Sequence, residues 1–238
     1  MPQAVAASPP VILAHRAYRD GHDPERENKL DAVKECLRYG WGVEIDIRRS
    51  PDGRLYISHD PADPVDRNDA RLFCQTIQEL ARSPVALNVK EVGYEGELVG
   101  LLAAYQIMQK VFLFDMELIE DNPGETAKLF RRLHAEVQVA VRVSDRGEPV
   151  TRALQPGMPD IVWLDEFDRL WATRDDIRRL QRAGKRIYAI SPEIHGFPEA
   201  QMIQRWQEFL QWGLDGICTD YPSRLQAYAT STMEAMRA

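Results

Sequence analysis

His15 and His59 are the side chains of this sequence best suited to moving protons near neutral pH, because imidazole alone titrates there when unperturbed. A reaction that takes a proton from a nucleophile and gives one to a departing alkoxide asks for such a pair. Between them lie Glu44 and Asp46, two positions apart in the apolar run Val43 to Ile47. On a strand that spacing points both carboxylates to one face, where they repel unless a cation sits between them. A hard divalent ion, Mg²⁺ or Ca²⁺, suits such oxygen donors. The alternative is a structural ion network with Arg48, Arg49 or another arginine. Arg16 and Lys90 place positive charge where a phosphate would lie, the first able to hold two oxygens and the second acting as a point charge. Either could instead pair with Glu44, Asp46 or Glu91. The chemistry these residues suit is metal-assisted cleavage of a phosphodiester.

Residues so far apart in the chain need a scaffold that gathers strand ends on one rim. Short runs rich in Val, Ile, Leu and aromatics occur at Val11-Ala14, Val43-Ile47, Val85-Val89, Val111-Phe114, Gln138-Val143, Ile161-Leu164, Arg186-Ile190 and Gly216-Cys218, each followed by a helical pattern. About eight such βα units close a TIM-type (β/α)8 barrel, an α/β fold. The runs end in polar residues: His15, Glu44 with Asp46, Asn88 with Lys90, Asp115, Arg142, Asp165, Ser191 with Glu193, and Asp220. Barrel enzymes build their sites on that rim. Pro51-Asp52-Gly53 followed by the alternating Leu55-Tyr56-Ile57-Ser58 predicts a short hairpin extension after strand two. Helical faces are expected at Leu30, Val33 and Leu37, at Ile177, Leu180 and Ala183, and at Trp206, Phe209 and Leu210. A doubly wound open sheet also alternates β and α, but it would open on a Gly-rich loop where this chain has His15-Arg16-Ala17. No linker or low-complexity segment interrupts the sequence, so residues 1-238 are expected to form a single domain.

Composition narrows the partners. The net charge is -7, from 30 Lys and Arg against 37 Asp and Glu, which sets a repulsive field against nucleic acid. Cys36, Cys74 and Cys218 have neither zinc spacing nor disulfide density and read as buried thiols in a reducing compartment. Met1 to Pro10 lacks the charged start and apolar core of a leader, and no stretch has the ~20 apolar residues of a membrane span. A cytoplasmic location without stable membrane insertion is expected, with a small-molecule phosphodiester as the partner. The Trp side chains and the basic run Arg178 to Arg186 read as packing and as a solvated helix face. Glu193 or His195, directly after strand seven, could touch substrate.

With these residues in view, the chain resembles the glycerophosphodiester phosphodiesterase family within the phospholipase C-like barrels. The matching pieces are Ala14-His15-Arg16, Glu27-Asn28, Val43 to Ile47, Asp52-Gly53, His59-Asp60-Pro61, and Gly213 to Pro222. The resemblance implies His15 and His59 as the acid/base pair, Glu44 and Asp46 as metal ligands, and Arg16 and Lys90 as phosphate contacts. It also implies a third acidic ligand two residues before Lys90, where this chain carries Asn88, whose amide oxygen can coordinate a hard cation with less charge; Asp115 is a candidate to compensate. Ala17 replaces the family's Gly, Arg26 and Lys29 replace its Pro and Thr, and the glycerol-region pattern after Pro61 is missing. The machinery is therefore better marked than the alcohol, which a phospho-sugar or lipid head group would also fit. A lyase releasing a cyclic phosphate, and a barrel that binds a phosphoester without turnover, are the competing functions.

Overall fold

In the computed structural model, which describes residues 9–237, the apolar runs become strands of one sheet. The stretch Met1 to Ser8, read above for a leader, lies outside the described residues. The strands are β1 (Val11–Ala14), β2 (Gly42–Arg49), β3 (Leu55–Ile57), β4 (Val85–Val89), β5 (Val111–Phe114), β6 (Gln138–Val143), β7 (Ile161–Leu164), β8 (Arg186–Ile190) and β9 (Gly216–Thr219). All except β3 pair in parallel, and β1 pairs with both β9 and β2, so the sheet closes into a ring of 8 strands. The expected TIM-type barrel is present. β3 lies outside the ring, antiparallel to β2 with Ile47 opposite Ile57, as the Pro51-Asp52-Gly53 turn predicts. Gly53 takes φ +88°, a left-handed turn position that glycine fills without strain.

The helices that cover the ring are α1 (Leu30–Arg38), α2 (Ala70–Leu80), α3 (Glu95–Ala104), α4 (Glu125–Leu133), α5 (Val150–Ala153), α6 (Arg174–Arg182), α7 (Glu199–Trp212) and α8 (Pro222–Arg237). Their starts and stops follow local chemistry. Thr173 and Asp176 form a reciprocal capping box at the head of α6, and Asp69 accepts from the Arg71 N–H to cap α2. Val33 and Leu37 of α1, Ile177 and Leu180 of α6, and Trp206 and Phe209 of α7 are buried against the strands. Ala183 is the C-cap of α6, and Leu30 and Leu210 are only partly buried, so three of the expected core positions sit at the margin. Among the described residues no helix is long and apolar enough to cross a membrane.

The inside of the ring is a second, separate core. Leu13, Ala86, Phe112, Phe114, Ala140, Ile161, Trp163, Tyr188, Ile190 and Cys218 pack there. Strand alternation sends these residues inward and leaves the next inward position, one step toward the C-terminal end, to the polar set His15, Asp46, Asn88 and Asp220. Aromatic rings fill the floor, with Phe114 and Trp163 centroids 4.1 Å apart. They need room: a Cβ on Gly216 would stand 2.4 Å from Tyr188, and one on Gly42 would stand 2.1 Å from the Pro84 carbonyl oxygen. This aromatic floor lies beneath the polar rim, the end at which barrel enzymes place their sites.

Candidate active site

β1 ends at Ala14, and the chain turns sharply so that His15 tips over the mouth. Arg16 (φ 46°) and Ala17 (φ 61°) both take left-handed backbone, at roughly 1–2 kcal/mol each for a residue with a Cβ. Two backbone bonds hold that turn: the Arg16 N–H donates to Glu44 Oε2 at 3.1 Å, and the Asn28 N–H donates to the Arg16 carbonyl at 2.9 Å. His15 Nδ1 lies 2.6 Å from Asp220 Oδ1, across 205 residues of sequence, and its Nε2 faces Glu44 Oε2 at 3.9 Å. Burial alone would lower its proton affinity, but the bond to Asp220 and the charges of Glu44 and Asp220 outweigh it and raise the imidazole above its usual value. Asp220 is fixed in turn by its own N–H, which donates to Glu193 Oε1 at 3.0 Å.

Glu44 and Asp46 share the inner face of β2, as their spacing predicts, and both are buried. Burial, then the negative charge of Asp46, pushes the Glu44 carboxyl up. Asp46 is held by Asn28, whose Nδ2 donates to Asp46 Oδ2 at 2.8 Å while its Oδ1 accepts from the Asp46 N–H at 3.2 Å. Lys90 Nζ is 3.4 Å from Asp46 Oδ1 and Arg16 Nε is 3.8 Å from Oδ2. Arg48 and Arg49, the alternative partners for these acids, go elsewhere: Arg48 to Glu91 and the His59 carbonyl, Arg49 to Glu97. The Arg16 guanidinium also reaches Glu27 at 3.3 Å, and Tyr18 clamps the other Glu27 oxygen at 2.6 Å. That leaves Arg16 Nε buried and without a hydrogen-bond partner.

His59 follows the end of β3, where the Ser58 N–H donates to the Asp46 carbonyl at 3.0 Å. Its Nδ1 lies 2.9 Å from Asp60, which leaves Nε2 free. Burial and the positive charges of Arg16 and Lys90, opposed by Asp46 and Asp60, hold it below its usual value. Arg16 thus opposes protonation of both histidines. His59 lines an open cleft of about 850 Å³ together with Glu27 and Asn28.

Asn88 stands beside Asp46 in the parallel ladder, and its Nδ2 donates to Asp115 Oδ2 at 3.0 Å. Among the described residues no three His, Cys, Asp or Glu side chains group as a metal site. The set on β2 and β4 is instead two carboxylates and one amide oxygen, all hard donors, with a buried carboxylate pair whose repulsion a cation would relieve. Asp115 adjoins this set through Asn88. Its carboxylate is bound to Arg142, which also pairs with Asp165 at 2.5 Å and Glu148 at 3.2 Å inside the far half of the mouth.

His15, Arg16, Glu44, Asp46 and Lys90 thus meet in one constellation, with Asn88 adjoining through the strand register. Asp220 as the partner of His15, and Asn28 as the clamp on Asp46, were not singled out from sequence; their signals were a strand-end position and a place in the Glu27-Asn28 piece. Glu193 is a support, accepting from Ser191, from Thr219 at 2.5 Å and from the Asp220 N–H. His195 Nε2 is engaged by Asp165 at 2.5 Å. Trp163 is packed in the barrel floor and does not reach the rim as a platform.

No protein-family model matches this sequence, and no curated protein matches it. Solved structures do. A glycerophosphoryl diester phosphodiesterase from Parabacteroides distasonis superposes with a TM-score of 0.73 at 16% identity, covering 97% of this chain and 89% of its own. A glycerophosphodiester phosphodiesterase from Agrobacterium tumefaciens gives 0.69 at 17% identity, covering 92% and 99%. A phosphodiesterase from Oleispira antarctica, solved with its product sn-glycerol-3-phosphate, gives 0.63 at 17% identity, covering 93% and 97%. Over nearly its whole length, this chain has the fold of the glycerophosphodiester phosphodiesterases.

Proposed function

We propose that this protein is a phosphodiester hydrolase of the glycerophosphodiester phosphodiesterase type, with a small glycerophosphodiester-like or phospho-sugar or lipid head-group substrate. The observation that carries the reading is the His15–Asp220 couple set against Glu44 and Asp46, with the buried Arg16 Nε left without an acceptor. A phosphate oxygen is the partner that donor lacks. Lys90 supplies the second positive charge, and the two imidazoles transfer protons at the nucleophile and at the leaving alcohol. His59, held below its usual value, is the neutral imidazole that can accept; His15, held by Asp220, is the one that carries a proton to give.

Glu44, Asp46 and the amide oxygen of Asn88 would hold a divalent cation, Mg²⁺ or Ca²⁺. Bound there, such an ion supplies charge stabilisation for the nonbridging oxygens. The family's third acid is an amide here, so the charge of the donor set falls by one and the affinity with it. The three cysteines are free and buried, which supports a reducing, cytoplasmic setting.

A panel of phosphodiesters, incubated with and without chelator and followed by phosphorus NMR, tests the reading. A phosphomonoester should appear with Mg²⁺ or Ca²⁺ and cease to form with chelator. Accumulation of a cyclic phosphate would make the protein a lyase, and tight phosphoester binding without turnover would make it a binding barrel.

A further inference from the structure

His59 sits where the β2–β3 ladder has ended. β3 stops at Ile57, and the last backbone bond toward the barrel before the histidine is Ser58 N–H to the Asp46 carbonyl at 3.0 Å. A side chain on so short an arm needs a further hold if its imidazole is to be placed to within a fraction of an ångström.

Arg48 supplies one. It lies two residues beyond Asp46 on β2, on the same side by alternation. Its Nε donates to the His59 carbonyl oxygen at 2.9 Å and its Nη2 donates to the same oxygen at 2.7 Å. Its Nη1 is paired with Glu91, the residue after Lys90, and the second Glu91 oxygen accepts from the Arg49 N–H at 3.3 Å. One guanidinium therefore ties three pieces together: β2, which carries Glu44 and Asp46; the end of β4, which carries Lys90; and the arm, which carries His59. The Arg48 side chain is 12% exposed and that of Glu91 38%, so the guanidinium itself is mostly covered and its bonds are charge-assisted. Lysine has no such planar fork and could make only a point contact.

We infer that Arg48, braced by Glu91, is a positioning residue that fixes His59 over the phosphodiester site through its backbone carbonyl. The inference rests on the catalytic reading of His59 given above. Arg48 touches no reacting atom. Releasing it leaves the imidazole present and ionisable but no longer held against the site, and misplacement of that kind costs on the order of 10²-fold in rate.

The test compares wild type with Arg48→Ala, Arg48→Lys and His59→Ala. It reads kcat and KM on a phosphodiester that the wild type turns over, the thermal midpoint, and amide hydrogen exchange of Ser58 to Asp60. Arg48→Ala should lower kcat by about 10- to 100-fold with KM within about threefold, and exchange at the arm should speed up at least about tenfold while the rest of the barrel is unchanged. Arg48→Lys should fall between it and wild type, and millimolar guanidinium ion should restore part of the Arg48→Ala rate. If Arg48→Ala does not fold, Arg48→Lys carries the same readouts. An arm that exchanges as slowly as in wild type, or a kcat that does not change, overturns the inference. A purely structural ion pair would lower the thermal midpoint and leave kcat and guanidinium response flat. Full activity in His59→Ala would sink the catalytic reading instead, while the exchange data would still report whether Arg48 holds the arm.

Discussion

Replacing Asp220 by Asn removes one negative charge and keeps the shape of the side chain. The bond it makes to His15 Nδ1 at 2.6 Å is short and charge-assisted, and Asp220 is only 13% exposed. Hydrogen bonds to a charged group contribute about 1.5–3 kcal/mol. Its loss lowers the proton affinity of His15 by the same amount, so above the alkaline limb of the pH profile the share of His15 still carrying the proton it must give, and turnover with it, falls about 10- to 150-fold. Asn can also turn its amide N–H toward Nδ1 and favour the imidazole tautomer with its proton on Nε2, so the geometry survives while the charge does not. The fold should survive as well. The Asp220 N–H still donates to Glu193 at 3.0 Å, and its carbonyl still accepts from the Gly21 N–H at 2.8 Å. The assay is steady-state turnover of a phosphodiester substrate, with circular dichroism and a thermal midpoint as controls. A rate within twofold of wild type above that limb in a folded Asp220→Asn protein would refute the claim that this carboxylate supports His15.

Two other outcomes follow from the same geometry. Activity should be bell-shaped in pH with limbs on either side of the ordinary imidazole value of 6.5. His59, lowered, must lose its proton to act, so activity rises through a limb below 6.5; His15, raised, must keep its proton, so activity falls through a limb above it. Asp220→Asn should draw the alkaline limb to lower pH, and a profile without an alkaline limb would contradict the assignment. Arg142→Met should destabilise the barrel by about 3–5 kcal/mol, because Asp115 and Asp165 lose their guanidinium partner inside the mouth and Glu148 keeps only Arg152 at 3.8 Å. Urea denaturation measures this, and a loss below about 1 kcal/mol would show that the network is dispensable.

Much of the architecture was legible because each barrel strand is a short apolar run bounded by helix or turn signals. β4 to β8 begin and end where the hydrophobic runs do, and the hairpin was announced by its turn residues. The inner core was less legible. Gly42 and Gly216 each leave space for groups on or beside an adjacent strand, Pro84 with Leu13 at the first and Tyr188 at the second, and which strands lie adjacent is set by the ring and not by linear order. The site shows the same division. Glu44 and Asp46 were readable because their partnership is local, a matter of strand alternation. The partners that give the site its electrostatics are remote: Asp220 for His15 and Asn28 for Asp46. Nothing in linear spacing says which strand end will face which. Arg48 shows the converse error, since proximity in sequence to Glu44 and Asp46 suggested an ion pair, whereas its side chain reaches past them to the arm that carries His59. Asp115, the other candidate for the metal set, bonds both Asn88 and Arg142, and the latter partner, inward-facing on the neighbouring strand, could not be read from linear spacing.

The most direct measurement is phosphodiester turnover by His15→Ala and His59→Ala, each checked for an intact fold by circular dichroism. Two imidazoles serving one phosphorus centre predict that either substitution removes nearly all turnover while the barrel remains folded. Activity at the wild-type level in both proteins would contradict it.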